Sequence, residues 1–113
     1  MNGASKPKFE TKVEHTNRGT VVHLCGDLDL EMASEMREAT DSAVRDAKQP
    51  LIFNLRELTY IDSTGIGLII SILKARNERQ ALFELEQVPP KIKRLFDMTG
   101  ITKFLTIGSN HAN

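Results

Sequence analysis

A single cysteine, Cys25, stands in a chain of 113 residues. No disulfide can therefore close within the chain, and a zinc site built from several thiolates is excluded. An excess of one charge is also missing, because 15 Lys and Arg balance 15 Asp and Glu. Without a net positive field or a Lys/Arg-rich block, nucleic acid is not expected as a partner. Long hydrophobic runs are lacking too. None approaches the roughly 20 residues of a membrane span, and the polar opening 1–8 has no apolar centre of the kind a signal peptide needs. The expectation is a cytoplasmic protein with no membrane partner.

What is present is the composition of a packed globular domain, 40% apolar and 27% charged. The length suits one hydrophobic core and not two. One domain over 9–108 is expected, with a flexible N-terminus over 1–8 and a polar tail over 109–113, and with no internal repeat or linker.

The pattern along the chain alternates strand and helix. Phe9 to His15 and Thr20 to Cys25 read as a hairpin, because Asn17 and Gly19 between them tolerate positive φ. From Leu30 to about Ala47 the spacing of Ala33, Met36, Thr40, Ala43 and Ala47 predicts a helix, capped by Asp29 and ended before Pro50. Leu51 to Leu55 is a nearly continuous apolar run, as expected of a central strand covered on both faces. A second short β-like piece follows over Leu58 to Ile61. Ile66, Ile69, Ile70 and Leu73 then share one face of a mostly buried helix, with Leu68, Ile72 and Ala75 beside them. Lys74, Arg76 and Arg79 read as the solvated, dipole-favoured end of that helix. Leu82 to Glu86 alternates apolar and acidic side chains and predicts a half-buried strand. Pro89 and Pro90 stop it. A third helix is expected from Pro90 or Lys91 to a C-cap at Gly100, then a last strand over Phe104 to Ile107. The order defines an α/β layer structure.

Asp62-Ser63-Thr64-Gly65-Ile66-Gly67 is the segment richest in chemistry. It sets a carboxylate and two hydroxyls at the first turn of a helix, followed by two glycines that keep the surface low for an approaching backbone. One reading is a purely structural cap. The other is a modification site. A phosphate on Ser63 would carry about −1.5 to −2 charge beside Asp62, and the helix amides favour an anion there.

Tyr60-Ile61-Asp62-Ser63-Thr64-Gly65-Ile66-Gly67 resembles the phosphorylation-site motif of bacterial anti-sigma factor antagonists, single STAS-domain proteins. Gly26-Asp27-Leu28-Asp29 is similar to the Gly-Glu-Leu/Ile-Asp element of that family, and Lys93 to Gly100 to its third segment. The resemblance implies a mixed β-sheet with an N-terminal hairpin and helices packed mainly on one face. It implies a binding module and not an enzyme, with no cofactor. Unphosphorylated, such a protein binds an anti-sigma factor that is also a serine kinase, and a sigma factor is freed. Phosphorylation ends the complex, and a PPM-type serine phosphatase resets it. Carried over, Ser63 matches the phosphoacceptor. Asp27, Asp29, Asp62, Ser63, Thr64, Gly65 and Gly67 form the partner-binding set. A monomer is expected. Asp27 departs from the family by standing where Glu is usual, and the chain ends soon after Ile107, so a final helix seen in some relatives is short or absent.

Competing readings are a STAS scaffold or transport-associated docking domain without a phospho-switch, and a small serine hydrolase. The hydrolase lacks the Gly-x-Ser-x-Gly elbow, since Ile61 holds its first position, and the chain is too short for that fold. His15, His23 and His111 show no metal-ligand spacing, so no metal is assigned. A phosphate-cradling loop of the Gly-x-x-x-x-Gly-Lys type is missing. Cys25, in a mostly apolar strand, reads as a buried inert thiol, and Met32 and Met36 as core or rim residues.

Overall fold

A computed structural model describes residues 9–101 and 106–107. The expected segments 1–8 and 109–113, the first half of the last strand and the ending of the chain lie outside the described residues. The elements run β1 (Glu10–Thr16), β2 (Gly19–Leu28), α1 (Leu30–Arg45), β3 (Leu51–Asn54), β4 (Leu58–Ile61), α2 (Ser63–Glu78), β5 (Phe83–Glu86), α3 (Pro90–Thr99) and β6 (Thr106–Ile107). The sheet order is β1-β2-β3-β5-β6, with β4 paired to the end of β2. Among the described residues the hairpin pair β1–β2 is antiparallel, and β2–β3, β2–β4, β3–β5 and β5–β6 are parallel. The sheet is mixed, as expected for this α/β architecture.

Strand register decides which residues make the core. Val22, Phe53 and Leu85 lie in one row and Leu51 and Phe83 in the next. These side chains join Ile66, Leu68, Ile69, Ile72 and Leu73 of α2, Ala33 and Met36 of α1, and Ile92 and Phe96 of α3 in one buried cluster. All three helices therefore pack on the same face. The rings of Phe53 and Phe83 meet edge to face at 5.0 Å, the arrangement their quadrupoles favour.

The other parity of the same strands faces away from the helices. Val21 and Ile52 sit there, buried, beside a row of polar residues, His23, Asn54 and Glu86. The alternation of apolar and acidic residues over Leu82 to Glu86 predicts a half-buried strand, and an acidic Glu86 would ordinarily be its exposed part. The structure buries it instead, because Arg18 from the β1–β2 turn reaches across to hold both carboxylate oxygens, at 2.8 and 3.2 Å, and Asn54 Nδ2 donates to Oε2 at 3.0 Å. That fork holds the Glu86 carboxyl below its ordinary range despite burial. His23 is half-buried and pairs with Glu14 at 2.9 Å. Cys25 is half-buried, not buried, because it points to this polar face opposite Glu10; partial desolvation raises its pKa.

Arg76 departs furthest from its expected place. It is fully buried. Its guanidinium donates to the carbonyl oxygens of Ala43, Val44 and Asp46 at the end of α1, of Gln49 in the following turn and of Leu82 ahead of β5, at 2.7 to 3.3 Å. Spacing alone placed it at a helix end beside Lys74 and Arg79, where a cation is ordinarily solvated. Here it satisfies carbonyls that α1 and the α1–β3 turn would otherwise bury without partners. Desolvation lowers its pKa. The same turn shortens α1: the helix ends at Arg45, and Ala47 lies exposed in the connection to β3.

Candidate functional site

β2 is longer than its sequence pattern suggests. Gly26, Asp27 and Leu28 continue the strand past Cys25 and pair with Leu58, Tyr60 and Ile61 of β4, with a register shift between Gly26 and Asp27. Gly26 has φ of +97°, a conformation glycine adopts without strain, and at the shift Thr59 of β4 is the extra residue, between Leu58 opposite Gly26 and Tyr60 opposite Asp27. Asp27 and Asp29 thus leave the sheet at one edge.

Two helices start at that edge. Asp29 caps α1, its Oδ1 accepting from the amides of Glu31 and Met32 at 3.1 and 3.2 Å. Asp62 caps α2, its Oδ1 accepting from Gly65 N at 3.1 Å. Both helices follow parallel strands, so both positive ends point the same way. Asp62 N also donates to Leu28 O at 3.3 Å, tying the two loops together. Asp27, Asp29, Asp62 and Ser63 are consequently neighbours on one surface although the sequence separates them into two segments.

Ser63 opens α2 and is exposed, and its hydroxyl has no hydrogen-bond partner among the described residues. It stands where the helix dipole and the free first-turn amides favour an anion. Thr64 is half-buried beside it. The two glycines differ sharply. Gly67 is exposed, with open space where a Cβ would be, whereas a Cβ on Gly65 would lie 2.7 Å from Ile61 Cγ1 and 3.0 Å from Leu28 Cγ and O. The close approach that Gly65 permits is therefore internal, of α2 onto β2 and β4; only Gly67 lowers the outer surface.

Sequence patterns did not reveal the apolar part of this edge. Tyr60 is 50% and Leu30 69% exposed, one in register with Asp27 and the other directly after Asp29. Periodicity gave no signal for them: Leu30 directly follows the capping Asp29, and Tyr60 stands two residues before the capping Asp62. No cluster of three or more His, Cys, Asp or Glu able to hold a metal occurs among the described residues. Nor is any helix among them long and apolar enough to cross a membrane.

A mixed sheet with a hairpin edge and helices on one face has known counterparts. The STAS domain family model matches residues 10–113. Over 106 residues the chain is 29% identical to the anti-sigma F factor antagonist of Paenibacillus polymyxa, covering 93% of this chain and 91% of that protein. It is 31% identical over 86 residues to the anti-sigma-B factor antagonist of Staphylococcus aureus, covering 76% and 80% respectively. The fold matches that of the Bacillus cell fate determinant SpoIIAA in its phosphorylated form with a TM-score of 0.66 at 20% identity, covering 89% of this chain and 91% of that one. The chain belongs to the STAS domain family, among the bacterial anti-sigma factor antagonists. Those relatives are regulatory binding proteins.

Proposed function

We propose that this chain is a non-enzymatic switch that, unphosphorylated, binds an anti-sigma factor with serine kinase activity and so frees a sigma factor. Phosphorylation of Ser63 ends the interaction, and a PPM-type serine phosphatase restores it. The protein acts as a cytoplasmic monomer and needs no cofactor of its own; nucleotide belongs to the kinase. The observation that carries this reading is the exposed, unengaged hydroxyl of Ser63 at the start of α2, on the edge that also presents Asp27, Asp29 and Asp62. A relative of the same fold is described in a phosphorylated form, which supports the assignment.

The physics of the switch is local. Asp27, Asp29 and Asp62 stand at this edge and Glu31 lies in the first turn of α1, so the edge is already acidic before modification. A phosphate adds about −1.5 to −2 charge there, and docking then meets like-charge repulsion and the cost of desolvating a dianion. A loss of about 2 to 3 kcal/mol lowers affinity roughly 30- to 150-fold. Asp27, Asp29, Asp62, Thr64 and Gly67 supply the surrounding contacts, and Gly65 supports them from beneath.

Incubation with candidate anti-sigma kinases and ATP, followed by mass spectrometry, should place one phosphate on the peptide holding Ser63. Ser63→Ala should bind the kinase and resist release, while Ser63→Asp should bind poorly. Normal phosphorylation and release of Ser63→Ala would show that the site is wrong. A stable large assembly lacking an ATPase partner would instead favour a scaffold role.

A further inference from the structure

Thr59 lies on β4, four residues before Ser63. Its Oγ1 donates to Asp27 Oδ1 at 2.6 Å, across the β2–β4 pairing at the register shift. A hydroxyl-to-carboxylate bond this short is charge-assisted. It is also exposed, and the strand pairing does not need it: Gly26 N donates to Glu57 O at 3.0 Å, Asp62 N to Leu28 O, and Leu58 and Ile61 anchor β4 in the core. The consequence of the bond is thus geometric. It holds a carboxylate that would otherwise sample several rotamers, and leaves Asp27 Oδ2 without a partner among the described residues.

Asp29 and Asp62 are oriented by helix amides. Asp27 follows the register shift and has no helix to cap, so Thr59 is what fixes it. Tethering Asp27 to β4 holds its charge close to the sheet edge. A carboxylate ordered in advance loses less rotamer freedom on docking, and it rewards only a cation that reaches the same spot.

We infer that Thr59 is a positioning residue for partner selection: it pins the Asp27 carboxylate at short reach, favouring an anti-sigma factor whose cationic side chain closes onto the β2–β4 edge. Partners whose cation does not reach that spot are disfavoured. This rests on the reading of that edge as the docking surface.

The test measures binding of the unphosphorylated full chain to two proteins: the anti-sigma factor that phosphorylates wild-type Ser63, and the anti-sigma-B factor of Staphylococcus aureus as a non-cognate competitor. Thr59→Val should weaken cognate binding about five- to tenfold, the cost of ordering one freed side chain on docking, and narrow the preference between the two, with the melting temperature nearly unchanged. Thr59→Ser keeps the donor and should restore both. In an Asp27→Asn background, Thr59→Val should have little further effect. A merely structural threonine would not show this dependence on Asp27. If Thr59→Val keeps wild-type affinity and preference while Ser63→Asp loses binding in the same assay, the role of Thr59 is overturned and the switch stands. If Ser63→Asp also binds like wild type, the docking-edge reading fails and takes this inference with it.

Discussion

The two ends of the α1–α2 pair use charge in opposite ways. At the starting ends, Asp29 and Asp62 each spend one oxygen on helix amides, and Ser63 stays exposed. At the far ends, Arg76 is buried and its N–H groups go to five carbonyl oxygens drawn from three segments. One end is a surface that another molecule can read; the other is a closed knot. The difference teaches that charge at a helix terminus carries no role by itself. What decides is how many of its hydrogen bonds the fold consumes.

Breaking the knot should cost the most. Arg76→Met keeps the length of the side chain but strands several buried carbonyls, each costing about 1 to 3 kcal/mol. A loss of at least about 3 kcal/mol is expected in chemical denaturation, a large part of a small domain's stability. Arg76→Lys should recover only part of it, because one ammonium cannot span carbonyls in three segments. A mild effect of Arg76→Met would mean that the two ends are less different than their hydrogen bonds indicate.

Gly65 and Gly67 sharpen the comparison within the reading end itself. A methyl on Gly65 would collide with Ile61 and with Leu28, including its backbone oxygen, so Gly65→Ala should destabilise by about 1 to 3 kcal/mol through overpacking. Gly67→Ala meets open space in a helix interior, where alanine is favoured by up to about 1 kcal/mol; it should fold at least as well as wild type. Any loss of kinase binding by Gly67→Ala would then report on the docking surface alone. Equal melting temperatures for the two variants would remove the distinction between the inner and outer glycine.

The parts of the molecule legible in the sequence are those set by local chemistry. The Asp29 and Asp62 caps, Pro90 at the start of α3, Gly100 as its left-handed C-cap and the apolar face of α2 follow from neighbouring residues. Arg76 did not, because its acceptors lie in segments the chain brings together only on folding. The same holds for Glu86, whose partner Arg18 is 68 residues away, and for Thr59, 32 residues from Asp27. The continuation of β2 through Leu28 is hidden by Gly26, which reads as a strand end but carries the strand on with a positive φ at a register shift. At the candidate site, the residue types were legible in two separate segments; their shared edge and the exposed Tyr60 and Leu30 required the sheet.

The Arg18–Glu86 pair provides the smallest and most discriminating test, because it lies between the two extremes. Glu86 is buried like Arg76, yet its partner Arg18 has a side chain 57% exposed. If the consumed hydrogen bonds govern stability, this pair should matter less than the knot and more than a surface ion pair. Glu86→Gln keeps the shape and one acceptor, and should cost about 1.5 to 2 kcal/mol at neutral pH, the lower part of the span for a hydrogen bond to a charged group. The sign of the pH dependence follows from the lowered pKa of Glu86 in the folded chain, set first by Arg18. A depressed carboxyl binds protons more readily when unfolded, so its contribution is present above the ordinary glutamate range near about 4.3. It is lost as pH falls through the lower folded value. Denaturant titrations at stepwise pH should therefore show wild type and Glu86→Gln separated at pH 7 and converging below about pH 4. A gap that stays constant down to acid pH would mean that the shape of the fork stabilises this face of the sheet, and its charge does not.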